Sequence, residues 1–134
     1  MLRDTVVPVL QRFFAEAEHR VAVAYLFGSV ARGQERKGSD IDVAVVLGTR
    51  RVVEHLDRLA LLQDHLQQRL GQDVDLVALD TASPDLVHRV LTDKIVLFES
   101  DVGTRVEFEV RAHNEYFDLL PHLLEYRRRV LSRA

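Results

Sequence analysis

Two apolar runs constrain this chain more than any other feature. Residues 21–27 read VAVAYLF and residues 41–47 read IDVAVVL. β-Branched and aromatic residues of this kind favour strands. The near-absence of polar alternation predicts strands buried on both faces. Residues 74–79, VDLVAL, and 94–98, KIVLF, predict a third and a fourth strand.

Helical periodicity fills the gaps between these runs. Leu56, Leu59, Leu62, Leu66 and Leu70 mark a stripe on a helix over about 51–70, and Gly71 stands where a left-handed C-terminal cap is expected. A short helix over about 84–91 follows Ser83 as N-cap, with Pro84 at its first position. Val6, Val9, Leu10, Phe13, Phe14 and Ala17 predict a helix over 4–18, with Pro8 placed near its start. Residues 103–131 predict a last helix that Pro121 is in position to break. Helices interleaved with strands give an α/β (α+β) fold with one mixed sheet. The 134 residues fit one compact domain, with its core over about 20–98.

Composition removes several classes of function. There is no cysteine, hence no disulfide, thiolate zinc site or cysteine nucleophile. A net charge of −3 argues against a chain that coats nucleic acid, so no direct nucleic-acid binding is expected. No segment reaches the roughly 18 apolar residues of a membrane span, and no secretory leader is evident. A cytoplasmic location is the expectation.

The chemistry concentrates in residues 28–46, GSVARGQERKGSDIDVAVV, between the first two strands. Gly28 has no Cβ and lets a ligand approach the backbone. Ser29 is placed to cap a short helix through Val30, Ala31 and Arg32, whose N–H groups suit phosphate oxygens. Arg32 or Lys37 could add a cation, though Lys37 reads better as an exposed loop charge. Asp40 and Asp42 stand at i and i+2, on one face of the second strand and about 6.5–7 Å apart. Their repulsion would be relieved by a divalent cation, and Mg²⁺ prefers carboxylate oxygens with substrate phosphates. Asp75, in an otherwise apolar strand, can complete a trio if its strand lies beside the second. Asp73 has the same parity but lies at the strand edge. Each feature has a plainer reading: a small turn, a solvated acid, a loop charge.

Gly28-Ser29, ten residues, Asp40-x-Asp42 at the head of a strand, and a later strand acid resemble the nucleotidyltransferase superfamily that includes polymerase β. The run GSVARGQ…GSDIDVAV is more closely similar to the minimal nucleotidyltransferases paired with HEPN-domain proteins in toxin–antitoxin systems. The resemblance implies a polymerase-β-like fold, two Mg²⁺ ions on Asp40, Asp42 and Asp75, and triphosphate binding at Gly28, Ser29 and Arg32. It implies ATP as donor and a tyrosine hydroxyl of a HEPN ribonuclease toxin as acceptor, which makes the chain an antitoxin in a hetero-oligomer. Two other readings stay open: an antitoxin that only binds its toxin, and a small-molecule nucleotidyltransferase of the aminoglycoside kind. The chain is not itself the HEPN partner, because Arg111-Ala-His113-Asn-Glu-Tyr116 lacks that group's spacing.

The last helix carries Phe108, Phe117, Leu120, Leu123, Leu124, Tyr126 and Leu131, then Arg127–Arg129 as a basic run. It either docks a partner or a second copy of the chain, or packs across its own sheet.

Overall fold

The computed structural model describes residues 1–48 and 52–132, with the side chains of 52–54 outside the description. Its elements run in order α1 (Leu2–Ala15), a 3₁₀ turn (Ala17–His19), β1 (Val23–Phe27), α2 (Gly28–Arg32), β2 (Ile41–Val46), α3 (Val52–Leu70), β3 (Val74–Ala78), α4 (Pro84–Asp93), β4 (Ile95–Glu99) and α5 (Val102–Ser132). The strands form one mixed sheet in the order β3-β2-β1-β4. β1 runs antiparallel to both β2 and β4, and β2 runs parallel to β3.

All five residues of β1 are buried, as the unbroken apolar run predicts. The reason is that helices cover both faces of the sheet. On one face Ala24, Leu26, Val43, Val45 and Leu76 meet Leu10, Phe13 and Phe14 of α1 and Leu62 and Leu66 of α3. On the other, Val23, Tyr25, Phe27, Ala44 and Val46 meet Val87 and Val90 of α4 and Ala112 of α5. Burying one such side chain fully stabilises the fold by roughly 1.5–3 kcal/mol, before entropy is counted.

Several local expectations hold in detail. The Ser83 hydroxyl accepts from Leu86 N–H at 3.2 Å, and Pro84 opens α4. Gly71 adopts φ +65° and its N–H closes onto Gln67 O at 2.8 Å, ending α3.

Other expectations need correction. α1 begins at Leu2, so Pro8 lies inside it, where its missing N–H leaves a helical carbonyl to solvent. That is tolerable because Pro8 is exposed. Pro121 does not break α5, which runs through it for 31 residues on a largely exposed path. Leu56 points outward at 66% exposure, and His55 is buried instead. The inward stripe of α3 is 55, 59, 62, 66 and 70, a closer match to 3.6 residues per turn. The expected helix residue 51 lies outside the described residues.

Candidate active site

The turn after β1 is built by Gly28, which has φ +77°. A side chain there would be strained, since this left-handed region suits glycine. It would also collide: a Cβ on Gly28 would stand 2.2 Å from Asp42 Oδ2 and 3.0 Å from its carboxyl carbon. The glycine therefore makes room for a carboxylate of its own chain as well as for any ligand. The β1–β2 register explains the proximity, because Phe27 is paired with Asp42 and Gly28 follows directly.

Ser29 does not cap α2. The helix already begins at Gly28, its N-cap position is Phe27, and no side chain caps it. Ser29 is instead a half-buried residue of the first turn. Its carbonyl accepts from Gln34 N–H at 2.8 Å, which folds the following loop back over the helix.

Further along that loop a second glycine is needed. Gly38 has φ +87° within a turn closed by Ser39 N–H to Arg36 O and Arg36 N–H to the Ser39 hydroxyl, both at 2.9 Å. This turn delivers Asp40 to the head of β2. Lys37 sits exposed on the same turn.

Asp42 lies in β2 and is partly buried, while Asp40 and Asp75 are exposed. Asp42 is directly in register with Asp75 across the parallel β2–β3 pair. Both share the α4/α5 face of the sheet, by alternation with Ala44 and Val77. Burial pushes the Asp42 carboxyl above the ordinary aspartate value of 3.8, and the charges of Asp75 and Asp40 push it further. Arg32 opposes them. Asp73 precedes β3, exposed, and contributes a backbone carbonyl to Ile41 N–H at 3.1 Å.

Arg32 is already engaged. Its Nη1 donates to Asp93 Oδ2 at 2.5 Å and its Nε to Gln34 Oε1 at 3.2 Å. Sequence reasoning missed Asp93, which stands 61 residues away at the end of α4 with no local signal.

The residues suit a hard divalent cation. Their donors are carboxylate oxygens, and the Asp42 carboxyl is raised first by burial and then by the neighbouring charges of Asp75 and Asp40. Among the described residues, the group whose acid and imidazole atoms all lie within 4.8 Å is Glu16, Glu18 and His19, on the opposite helix layer. The three aspartates do not all fall within that distance of one another. Glu16 is occupied by Arg69 at 2.9 Å and by His19 at 2.9 Å, so its charge is largely spent.

A Gly-Ser turn leading into a helix, facing strand-borne aspartates on a mixed sheet, is a scaffold for nucleotidyl transfer. The chain belongs to the polymerase beta nucleotidyltransferase family, whose pattern matches residues 10–102. It is similar to a provisionally named protein adenylyltransferase of Methanocaldococcus jannaschii, 30% identical over 94 residues, which cover 70% of this chain and 91% of that protein. It is also similar to the protein adenylyltransferase MntA of Shewanella oneidensis, 39% identical over 75 residues, covering 54% of this chain and 50% of that one. A chain from a solved complex of tri-AMPylated Shewanella oneidensis HEPN toxin with MNT antitoxin superposes with a TM-score of 0.64 at 22% identity, over 95% of this chain and 97% of that chain. This last likeness establishes shared fold. No helix among the described residues is long and apolar enough to cross a membrane.

Proposed function

We propose that this chain is a Mg²⁺-dependent protein adenylyltransferase and an antitoxin, which transfers AMP from ATP to a tyrosine hydroxyl of a cognate HEPN ribonuclease toxin. The observation that carries the transferase reading is the placement of Asp42, wedged against Gly28 and in register with Asp75. Its relatives' names supply the acceptor class: a protein adenylyltransferase in two cases, and an AMPylated HEPN toxin beside its antitoxin in a third.

In the reaction the acceptor oxygen attacks the α-phosphorus, the bond to the bridging oxygen breaks, and pyrophosphate leaves. The acceptor proton passes to solvent or to a nearby base. Divalent ions held by Asp40, Asp42 and Asp75 would neutralise phosphate charge and ease loss of that proton. Gly28 and Ser29 place backbone N–H groups and a hydroxyl where the distal phosphates can lie. Arg32 is within electrostatic reach of Asp42 and can turn from Asp93 toward a phosphate. The rate then comes from positioning and charge stabilisation.

The test is intact-mass spectrometry of a HEPN-domain partner encoded beside this chain, incubated with purified protein, MgCl₂ and ATP. The expected result is a partner heavier by one or more adenylyl groups, with tyrosine as the modified residue. An Asp40→Asn, Asp42→Asn variant should leave the partner's mass unchanged and fail to neutralise it. Neutralisation by that variant at ordinary expression would show that binding alone suffices.

A further inference from the structure

α5 is long, and most of it is bare. Its 31 residues extend about 46 Å at 1.5 Å per residue. Among the described residues, eight of the eleven strongly exposed large apolar side chains belong to it, the others being Met1, Leu56 and Leu61. Five of the eight form one seam, and Val102, Tyr126 and Val130 lie off it. Val110, Phe117, Leu124 and Leu131 recur every seven residues, and the intervening heptad row holds Val106 and Leu120 together with His113 and Arg127. The five exposed members of this seam range from 45% exposure at Val106 to 75% at Leu131. One fully apolar heptad row beside a mixed one is the pattern of a helix that packs against another helix by knobs into holes, with polar groups at some of its layers.

The seam is not the face α5 turns to its own domain. That inward face carries Ala112, buried, with Tyr116 stacked on His88 and Glu109 bonded to Tyr25. At 100° per residue the centre of the seam lies roughly a quarter-turn around from it, with Leu120 on the near border.

Charge decides which way a second helix lies. The first part of α5, residues 102–118, holds four acids and two arginines. The last part, 119–132, holds one glutamate and the run Arg127–Arg129. A parallel pair would press the arginine runs together, which costs stability. An antiparallel pair sets the acidic part of one helix against the basic part of the other. With Phe117 packed near Leu120 across the pair, Glu107 flanks the seam at the position that meets Arg128 of the second copy. Such a contact is self-complementary about a two-fold axis.

We infer that α5 pairs antiparallel with α5 of a second copy of this chain, forming a symmetric dimer through the 106–131 seam. The pairing is independent of the nucleotide chemistry proposed above, so either can fail without the other.

Light scattering of the 134-residue chain at tens of micromolar should give twice the 15.4 kDa chain mass. A Phe117→Glu, Leu124→Glu variant should fall to the chain mass while its far-ultraviolet circular dichroism keeps the helical signal. Because that variant could also lose helix, charge reversal gives a second test. Glu107→Arg alone and Arg128→Glu alone should each weaken the dimer about tenfold, and the two together should restore it. Cysteine, absent from the natural chain, fixes the direction: Leu131→Cys should not cross-link to itself, whereas a mixture of Val106→Cys and Leu131→Cys chains should cross-link to each other. A wild-type monomer, a Leu131→Cys self-cross-link, or a double charge reversal that stays monomeric would each overturn the inference. So would a seam that proves to be needed only for capture of a HEPN partner by a monomeric chain.

Discussion

One face of the sheet carries two clusters of charge with opposite characters. Toward the β2–β3 edge, Asp42 is surrounded by Asp75 and Asp40, and its carboxyl is held above the usual aspartate value by burial and by those charges. Toward the β1–β4 edge, Glu109 of α5 receives Tyr25 OH at 3.2 Å, Arg105 Nη1 at 2.8 Å and the Lys94 ammonium. Arg105 also bonds Glu99. There burial pushes the Glu109 carboxyl up, but Lys94 and Arg105 outweigh it and leave it below 4.5. The same glutamate contributes to pushing the Tyr25 hydroxyl pKa upward, after burial itself. The second cluster is satisfied from within and joins α5 to the sheet. The first brings three carboxylates toward one edge, the arrangement that the proposed metal and triphosphate site requires.

Substitutions can break this contrast, and the largest effect falls at the acidic edge. Asp42→Asn should lower adenylyl transfer by at least about 10³-fold, measured as initial rate by intact mass. The fold should survive. Gly28→Ala should come next: the new Cβ must displace the Asp42 carboxyl and hold a left-handed backbone. A loss of about 10²-fold in transfer is expected, with about 1–3 kcal/mol of stability lost in denaturant unfolding. An unaltered rate for this variant would mean that Asp42 can be moved without consequence.

At the balanced edge the order reverses. Glu109→Gln takes the carboxylate from Lys94 and leaves Arg105 with Glu99 alone, and should cost about 1–3 kcal/mol of stability while changing the turnover number by less than about threefold. Tyr25→Phe removes one hydroxyl bond and should cost about 1 kcal/mol. If either variant abolished transfer while leaving the melting curve in place, the division between the two edges would be wrong.

The two carboxyls also predict opposite responses to pH. Asp42 has a folded pKa above its unfolded value, so its contribution to stability is present below about 3.8 and is lost as pH rises through the raised value. Asp42→Asn should therefore raise the melting temperature at neutral pH by a few degrees in the absence of divalent ions. Glu109 is depressed, so its contribution is present above 4.5 and is lost as pH falls through its folded value. Calorimetric affinity for magnesium–ATP should fall on acidification, as protons compete for Asp42.

Much of the scaffold was legible because its causes are local. Full burial of β1 leaves an apolar run, and a proline after a serine starts α4. Family membership was legible from the Gly-Ser and Asp-x-Asp spacing. The contact of Gly28 with Asp42 was not, because it depends on the β1–β2 register rather than on either residue. Ser29 was misread as a cap, since the backbone of Gly28 lets the helix start one residue sooner. The Tyr25–Glu109 bond spans 84 positions, and within VAVAYLF the tyrosine looks like any other core aromatic. The engagement of Arg32 by Asp93 was hidden for the same reason.

The pairing of Asp42 with Asp75 has a further consequence. The span between their α-carbons is fixed by the ladder of β2 and β3, about 4.8 Å from strand to strand. The sheet thus serves as a ruler, and its gauge belongs to the peptide backbone and not to any side chain. Slippage by a single residue would turn one acid to the far side altogether. Drift in the surrounding core can alter how firmly the ruler is held, but not the length it measures.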